Sequence, residues 1–311
     1  MATQELLQEL RPGAFAIAYR MTGSVSEAED IVQEGLLRLH RALEDGRELA
    51  SPRAYLSTVV TRLSIDALRS ARARRETYVG EWLPEPIVTS GQDDPVRHAE
   101  TADSLSLAFL VVLETLSPEQ RAAFLLHDVF DYPYDRIAEI IGKSAPAARQ
   151  LATRARRHVA DRRPRYEASR PARDELALRF LQAAQEGDMA ALESMLAEDV
   201  ELHGDGGGRA PALARPLFGR RRVAGALSAW LGLVERAGGL GSELVDVNGE
   251  PGVLVRDADG AVLAVWAIGI AGDRVQSIRS VVNPDKLGHL GRVGAITDVL
   301  ERARRKPPPR G

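Results

Sequence analysis

Cysteine is absent from this 311-residue chain, which excludes disulfides, thiolate metal sites and cysteine nucleophiles. Lysine is nearly absent as well: Lys143, Lys286 and Lys306 are the only lysines among 41 cations, so arginine carries almost all the positive charge. Aromatic residues make up 5% of the chain. No apolar run approaches the roughly 20 residues that a membrane helix needs, so no membrane partner is expected. The start, Met1-Ala-Thr-Gln-Glu5, has neither the basic beginning nor the apolar core of a secretory signal, and a cytoplasmic protein is the expectation. A net charge of −3 argues against a nonspecific polycation, yet charge is segregated along the chain. Residues 1–50 hold five arginines against nine acids, and residues 52–78 hold six arginines against two acids. Such blocks predict separate surfaces, one for a basic protein and one for nucleic acid. The length allows two or three domains.

The most informative stretch is Ser144–Val159. Ala148, Leu151, Ala152, Ala155 and Val159 recur at the spacing of one buried helix face, while Arg149, Gln150, Thr153, Arg154, Arg156 and Arg157 fill the rest. Ser144 is positioned as N-cap, and Pro146 is tolerated in the first turn. Tyr134–Ile141 reads as a short helix that Gly142 ends. Helix, glycine turn and basic helix are the parts of a helix-turn-helix whose second helix enters the DNA major groove. Seven cations and one acid between Lys143 and Arg163 agree with that reading.

The chain before this motif reads as helical. Ser26-Glu-Ala-Glu29 has the pattern of a capping box, and the helix it opens carries Ala28, Val32, Leu36, Leu39 and Leu43 on one side. Glu29, Asp30, Gln33 and Glu34 fall on the other. Ser51-Pro52 opens a further helix with Leu56, Val59, Val60, Leu63 and Ala67 inward and an increasingly basic outer face. Residues 77–104 read as a linker, because Trp82-Leu-Pro-Glu-Pro86 and Ser90-Gly-Gln-Asp-Asp-Pro95 break every period. A Trp-Leu pair is unusual in a linker; it implies either a local hydrophobic clamp or docking on another domain. Ser117-Pro-Glu-Gln120 predicts another capped helix, within a helical block over 105–163.

A second charged linker is expected at 164–173, and from Asp174 the pattern changes. Two helices, 174–186 and 188–197, precede a strand with Val200 and Leu202, a Gly-rich break at 204–209 and a helix near 219–234. Strand-like segments at 242–247, 252–256, 261–270 and 274–282 are punctuated by Asn248-Gly249 and Asp259-Gly260, dipeptides that favour tight hairpins. Helices followed by an antiparallel sheet define an α+β domain over 174–291. Residues 292–311, basic and ending in three prolines and two further residues, read as a tail that is disordered at its end.

Residues 1–163 resemble an RNA polymerase sigma factor of the extracytoplasmic-function group. Tyr19–Glu34 is similar to the core of that group's first domain (here 1–76), Arg53–Arg69 to its promoter-melting helix, and Leu116–Arg121 with the helix-turn-helix to its second domain (105–163). The remainder resembles the SnoaL-like, nuclear-transport-factor-2-like (NTF2-like) cone, a curved antiparallel sheet around a pocket. Three elements fit a branch of these sigma factors carrying such an extension: Trp82-Leu-Pro-Glu-Pro86, Asp205-Gly-Gly-Gly-Arg209 and Asn283-Pro-Asp-Lys-Leu287.

The resemblance implies core RNA polymerase and promoter DNA as partners. Glu29, Asp30, Gln33 and Glu34 would dock the β′ clamp helices, and the second domain the β flap. Arg53, Arg62, Asp66 and Arg69 would serve the minus-ten element, with base capture near Leu49–Pro52. Ser144, Pro146, Arg149, Gln150 and Arg154 would contact the minus-thirty-five element, arginine pairing with guanine and glutamine with adenine. Trp82, Leu83, Pro84, Asp205, Gly206, Gly207, Gly208, Arg209, Asn283, Pro284, Asp285, Lys286 and Leu287 would form a regulatory contact acting in cis, with no separate anti-sigma factor required. For the cone, His203, Asp205, Trp230 and Trp266 invite an enzyme or ligand-sensor reading fused to a DNA-binding regulator. Intramolecular docking is the leading role, with a small ligand in the cone as a further expectation. No catalytic residue, metal or cofactor is assigned.

Overall fold

The computed structural model describes residues 2–75, 77–89, 105–160, 169–238 and 240–305. They form two units, one from residues 1–77 and 109–163 and the other from 78–108 and 164–311.

The first unit is helical. Helices α1 (Ala2–Thr22), α2 (Val25–Glu44) and α3 (Pro52–Arg75) pack on one another, and α4 (Leu107–Glu114), α5 (Pro118–Asp128), α6 (Tyr134–Ile141) and α7 (Ala145–Ala160) follow. The cap of α2 is Ser24 rather than Ser26. Gly23, at φ 68°, turns the chain so that Ser24 is extended, and its hydroxyl accepts from the Glu27 N–H at 3.1 Å. Ser24-Val-Ser-Glu27 repeats the capping pattern two residues earlier. Around α3 burial exceeds one stripe: Thr61, Ser64 and Ile65 are buried beside Leu56, Val60 and Leu68, while Leu63 and Ala67 are only half-buried. The reason is that α1 and α2 as well as α5 and α6 pack against this helix. Its buried Ser57 and Ser64 hydroxyls donate to carbonyls four residues back, at 2.9 and 2.8 Å.

The cap at Ser117 has both expected bonds: Gln120 N donates to the Ser117 hydroxyl at 3.2 Å, and the Gln120 side chain accepts from Ser117 N at 3.0 Å. In the helix-turn-helix, Gly142 ends α6 in the left-handed region at φ 66°, and Ala148, Ala152, Ala155 and Val159 of α7 are buried. Leu151 is only half-buried.

The second unit is α+β. Helices α8 (Arg170–Glu186) and α9 (Met189–Met195) precede β2 (Leu196–Asp205) and β3 (Leu217–Phe218). Helix α10 (Arg220–Ala237) leads to β4 (Gly241–Val247), β5 (Glu250–Arg256), β6 (Val262–Ala271) and β7 (Arg274–Val281). With β1 (Val88–Thr89) they form a seven-stranded sheet in the order β1-β4-β5-β6-β7-β2-β3. The sheet is mixed, not wholly antiparallel, because β2 runs parallel to β7. No hairpin joins these two strands, so nothing forces opposite directions. Irregular registers between Gly269 and Ile270, and between Leu196 and Glu201, bend the sheet around α8, α10 and a core containing Phe180, Leu192, Val223, Leu227, Ile268 and Ile278. Asn248 and Gly249 both take positive φ, as a tight primed turn demands.

Three expected segments differ. Within 77–104, residues 78–89 are not a free linker: β1 pairs antiparallel with β4 (Val88 opposite Val247), and Leu83, Pro84, Glu85 and Pro86 are buried. Residues 90–104 lie outside the described residues. Of the expected linker 164–173, the part from Arg170 opens α8, with Pro171 in its first turn, and 161–168 lie outside the description. Within 292–311, α11 (Ile296–Arg305) is ordered structure. Its spacing buries Ile296, Val299, Leu300 and Ala303, a helical stripe inside a charged sequence. The final Pro-rich residues lie outside the described part.

Candidate functional site

The acidic face of α2 is in place. Asp30 and Gln33 are exposed, Glu34 accepts from Arg38 Nε at 2.6 Å one turn on, and Glu29 pairs with Arg11 of α1. Ser144, just before α7, and Pro146, Arg149, Gln150 and Arg154 on it are all exposed. The Arg149 guanidinium stands 5.2 Å over the Tyr134 ring, which orients it from below. Arg156, two turns on, is committed elsewhere: it donates to both Asp128 oxygens, at 2.8 and 3.1 Å.

The α3 residues divide. Arg53 and Asp66 are exposed. Arg62 instead donates to the Ile140 and Glu139 carbonyls at 2.9 and 2.8 Å, capping the C-terminal end of α6. Arg69 donates to Glu119 at 2.6 Å. Burial alone would push the Glu119 carboxyl up, but the Arg69 hydrogen bond, a backbone hydrogen bond and the nearby charges of Arg69 and Lys143 together outweigh it and hold the carboxyl below its ordinary value. Sequence reasoning missed the partners of this face: Tyr132 donates to Ser57 at 2.8 Å, and Arg136 reaches the Ala54 carbonyl and Thr58, each at 3.1 Å. It also missed Arg121, fully buried, which donates to the Arg20 carbonyl at 3.0 Å and pairs with Glu114. Burial pushes its affinity for the proton down, to about 9. A charge inside the stripe Ala122, Phe124 and Leu125 was the available signal.

In the second unit the three elements singled out by motif meet around one carboxylate. Asp205, at the end of β2, is 0% exposed. Its Oδ1 accepts from the Tyr78 hydroxyl at 2.5 Å; its Oδ2 accepts from Leu83 N at 2.7 Å and from Lys286 Nζ at 2.6 Å. Lys286 also donates to the Leu83 carbonyl and lies 4.2 Å from the Trp82 ring centroid and 5.0 Å from that of Tyr78. Buried charge is tolerated because the carboxylate and the ammonium are both well partnered. Asn283 caps the short turn Pro284–Lys286 and donates to the Tyr78 hydroxyl at 2.9 Å. Burial first, and then the Asp205 hydrogen bond, push the Tyr78 pKa well above its ordinary value.

The glycine run is dictated by these approaches. A Cβ on Gly206 would lie 2.1 Å from the Ala210 carbonyl oxygen, and one on Gly207, at φ 57°, would lie 2.2 Å from the Asn283 amide nitrogen. Arg209 and Asp285 pair at 3.3 Å in solvent, and Leu287 is buried. Two further clasps hold the strap 78–89. His203 is bracketed by Glu81 and Glu201, at 2.7 and 2.9 Å, and Asn248 exchanges bonds with Ile87 while donating to the Leu105 carbonyl at 2.9 Å. Trp230 and Trp266 line a cavity in the cone, whereas Asp205 is turned to the strap. Among the described residues no group of His, Asp and Glu is assembled to hold a metal ion, and no helix is long and apolar enough to cross a membrane.

An exposed basic recognition helix, preceded by an arginine-rich helix and an acid-faced helix, defines a transcription-initiation subunit. The model of sigma-70 region 2 matches residues 6–74, and that of sigma-70, region 4 matches residues 106–159. The chain belongs to the extracytoplasmic-function (ECF) sigma factors, which join RNA polymerase and direct it to promoters. It is 42% identical over 291 residues to the ECF RNA polymerase sigma factor SigJ of Mycobacterium tuberculosis, covering 90% of this chain and 91% of that protein. The crystal structure of SigJ matches with a TM-score of 0.72 and 39% identity, over 92% of this chain and 98% of that one. A probable ECF sigma factor of the same organism, SigI, is 37% identical over 183 residues, 58% of this chain and 62% of its own length.

Proposed function

We propose that this sigma factor docks the polymerase β′ clamp helices through Glu29, Asp30, Gln33 and Glu34, and the β flap through its second helical block. An acidic helix face registers a basic partner, more than it supplies raw affinity. Ser144, Pro146, Arg149, Gln150 and Arg154 read the minus-thirty-five element. Arg53 and Asp66 face the minus-ten element, and Arg62 and Arg69 join them once released from α6 and Glu119. Phosphate contacts dominate affinity and base contacts specificity.

The cone modulates this activity in cis, as a nonenzymatic regulator in place of a separate anti-sigma factor. One observation carries the reading: the cone grips, through Asp205, Lys286, His203 and Asn248, residues of the chain that connects α3 to α4. Holding or releasing that strap alters the length of connection available to the two promoter-binding blocks. Such control requires two arrangements separated by only a few kcal/mol. Reversing charge at Asp30 and Glu34 tests the docking half. Core-polymerase binding is expected to fall with an unchanged circular dichroism spectrum, and normal binding would leave the acidic face as mere solvated surface.

A further inference from the structure

Three helices of the first unit meet at one aromatic ring. The turn after α5 doubles back, with Asp131 at φ 55° and Tyr132 N donating to the Leu126 carbonyl at 2.8 Å, so α6 starts beside the end of α5. Tyr134 opens α6 behind Pro133, which is extended at φ −70°. The ring of His127, in the last turn of α5, stacks on the Tyr134 ring with centroids 4.2 Å apart and planes 20° from parallel. Arg149 of α7 holds its guanidinium 5.2 Å from the centroid of the same ring.

The support beneath Arg149 is itself tied down. A guanidinium only donates, so Arg156, besides its fork on Asp128, donates to His127 Nδ1 at 3.4 Å. Tyr134 also packs against the core that contains Leu126, Ile137 and Ala148, one residue from each of the three helices. Arg149 is the exposed end of this column, and among the described residues no carboxylate pairs with it. A free surface arginine samples many rotamers and meets phosphates as readily as bases. Bidentate pairing with guanine O6 and N7 demands one orientation, and a guanidinium already laid on a ring has less freedom left to lose.

We infer that Tyr134 and His127 are positioning residues for promoter reading: they hold Arg149 in the orientation that pairs with a guanine of the minus-thirty-five element, and so set specificity at that base pair. This rests on the reading of Arg149 as a minus-thirty-five contact. Without the column Arg149 keeps its charge and turns to phosphate, so base discrimination falls while the charge-dependent part of the affinity stays.

The test uses the full chain bound to core RNA polymerase and a duplex library randomised across both promoter elements, sequenced before and after binding. Arg149→Ala is expected to abolish a guanine preference at one position of the minus-thirty-five element. Tyr134→Leu, which keeps apolar packing but removes the ring, should lower the preference at that same position about two- to fivefold, the worth of one exposed cation–π contact. His127→Ala, which removes the stacked support, should lower it in the same direction. Tyr134→Phe, which keeps the ring, should retain it, and preferences at other positions should hold throughout. Adding Tyr134→Leu to Arg149→Ala should change nothing further. Circular dichroism checks that each variant folds. An unchanged preference at that position in either Tyr134→Leu or His127→Ala overturns the inference, as does an equal loss at every position, the mark of a loosened fold. Arg149→Ala without effect at any position overturns the underlying reading, and the inference with it. Should Tyr134→Leu not fold, His127→Ala still decides.

Discussion

Lys286 holds its ammonium 2.6 Å from the Asp205 carboxylate with both side chains buried, and the same carboxylate anchors the backbone of Leu83. Removing Asp205 takes the carboxylate at 2.6 Å from a buried ammonium and the anchor from the Leu83 backbone. Asp205→Ala should therefore destabilise the second unit by about 3–5 kcal/mol in denaturant titration, while Asp205→Asn combined with Lys286→Met should lose less than the sum of the two single changes. Strictly additive losses would mean that the pair does not act as a unit.

Tyr78 gives this network a pH signature. Its folded pKa is raised above the ordinary value of 10.0, so the folded state keeps a proton that the unfolded chain releases. The sign follows: the contribution is fully present below pH 10 and fades as pH rises beyond it. Tyr78→Phe should flatten the alkaline fall of the melting temperature above that pH. Parallel curves for the two proteins would remove Tyr78 as its source.

Two arginines of one helix should separate cleanly. Arg149, exposed over Tyr134, is expected to lose about 1–3 kcal/mol of minus-thirty-five binding on Arg149→Ala, with the fold intact. Arg156→Ala should lower the melting temperature through loss of its Asp128 fork. Equal effects of both substitutions on DNA affinity at fixed salt would merge the two roles.

Arg121 tests how a buried charge is held in the first unit. Arg121→Ala removes a donor from Glu114 and from the Arg20 carbonyl and should cost about 3–5 kcal/mol, while Arg121→Met, which keeps the volume, should cost less. A methionine variant no more stable than the alanine variant would show that filling the space does not compensate.

Local signals made much of this legible. The Ser117 box, Gly142 and the Ala148–Val159 stripe act within a few residues, so their helices read directly. Strand pairs joined by Asn248-Gly249 and near Asp259-Gly260 read for the same reason. Nothing local revealed that β2 would lie parallel to β7, since their partnership spans about 75 residues. The strap read as a linker because Trp82–Pro86 has no period; only the motifs pointed to its contact with Asp205, a carboxylate more than 100 residues away. The hold of Arg62 on the Glu139 and Ile140 carbonyls leaves no mark in sequence.

The central claim, a promoter-directing sigma factor controlled through its strap, is tested most directly by runoff transcription with core RNA polymerase. The assay compares the full chain, Asp205→Ala and a chain ending at Arg170. The full chain should yield a promoter-specific transcript. Asp205→Ala and the truncation should each change its yield several-fold, although neither alters α3 or α7. Identical yields from all three would contradict control by the cone, and no promoter-specific transcript from any of them would contradict the initiation role itself.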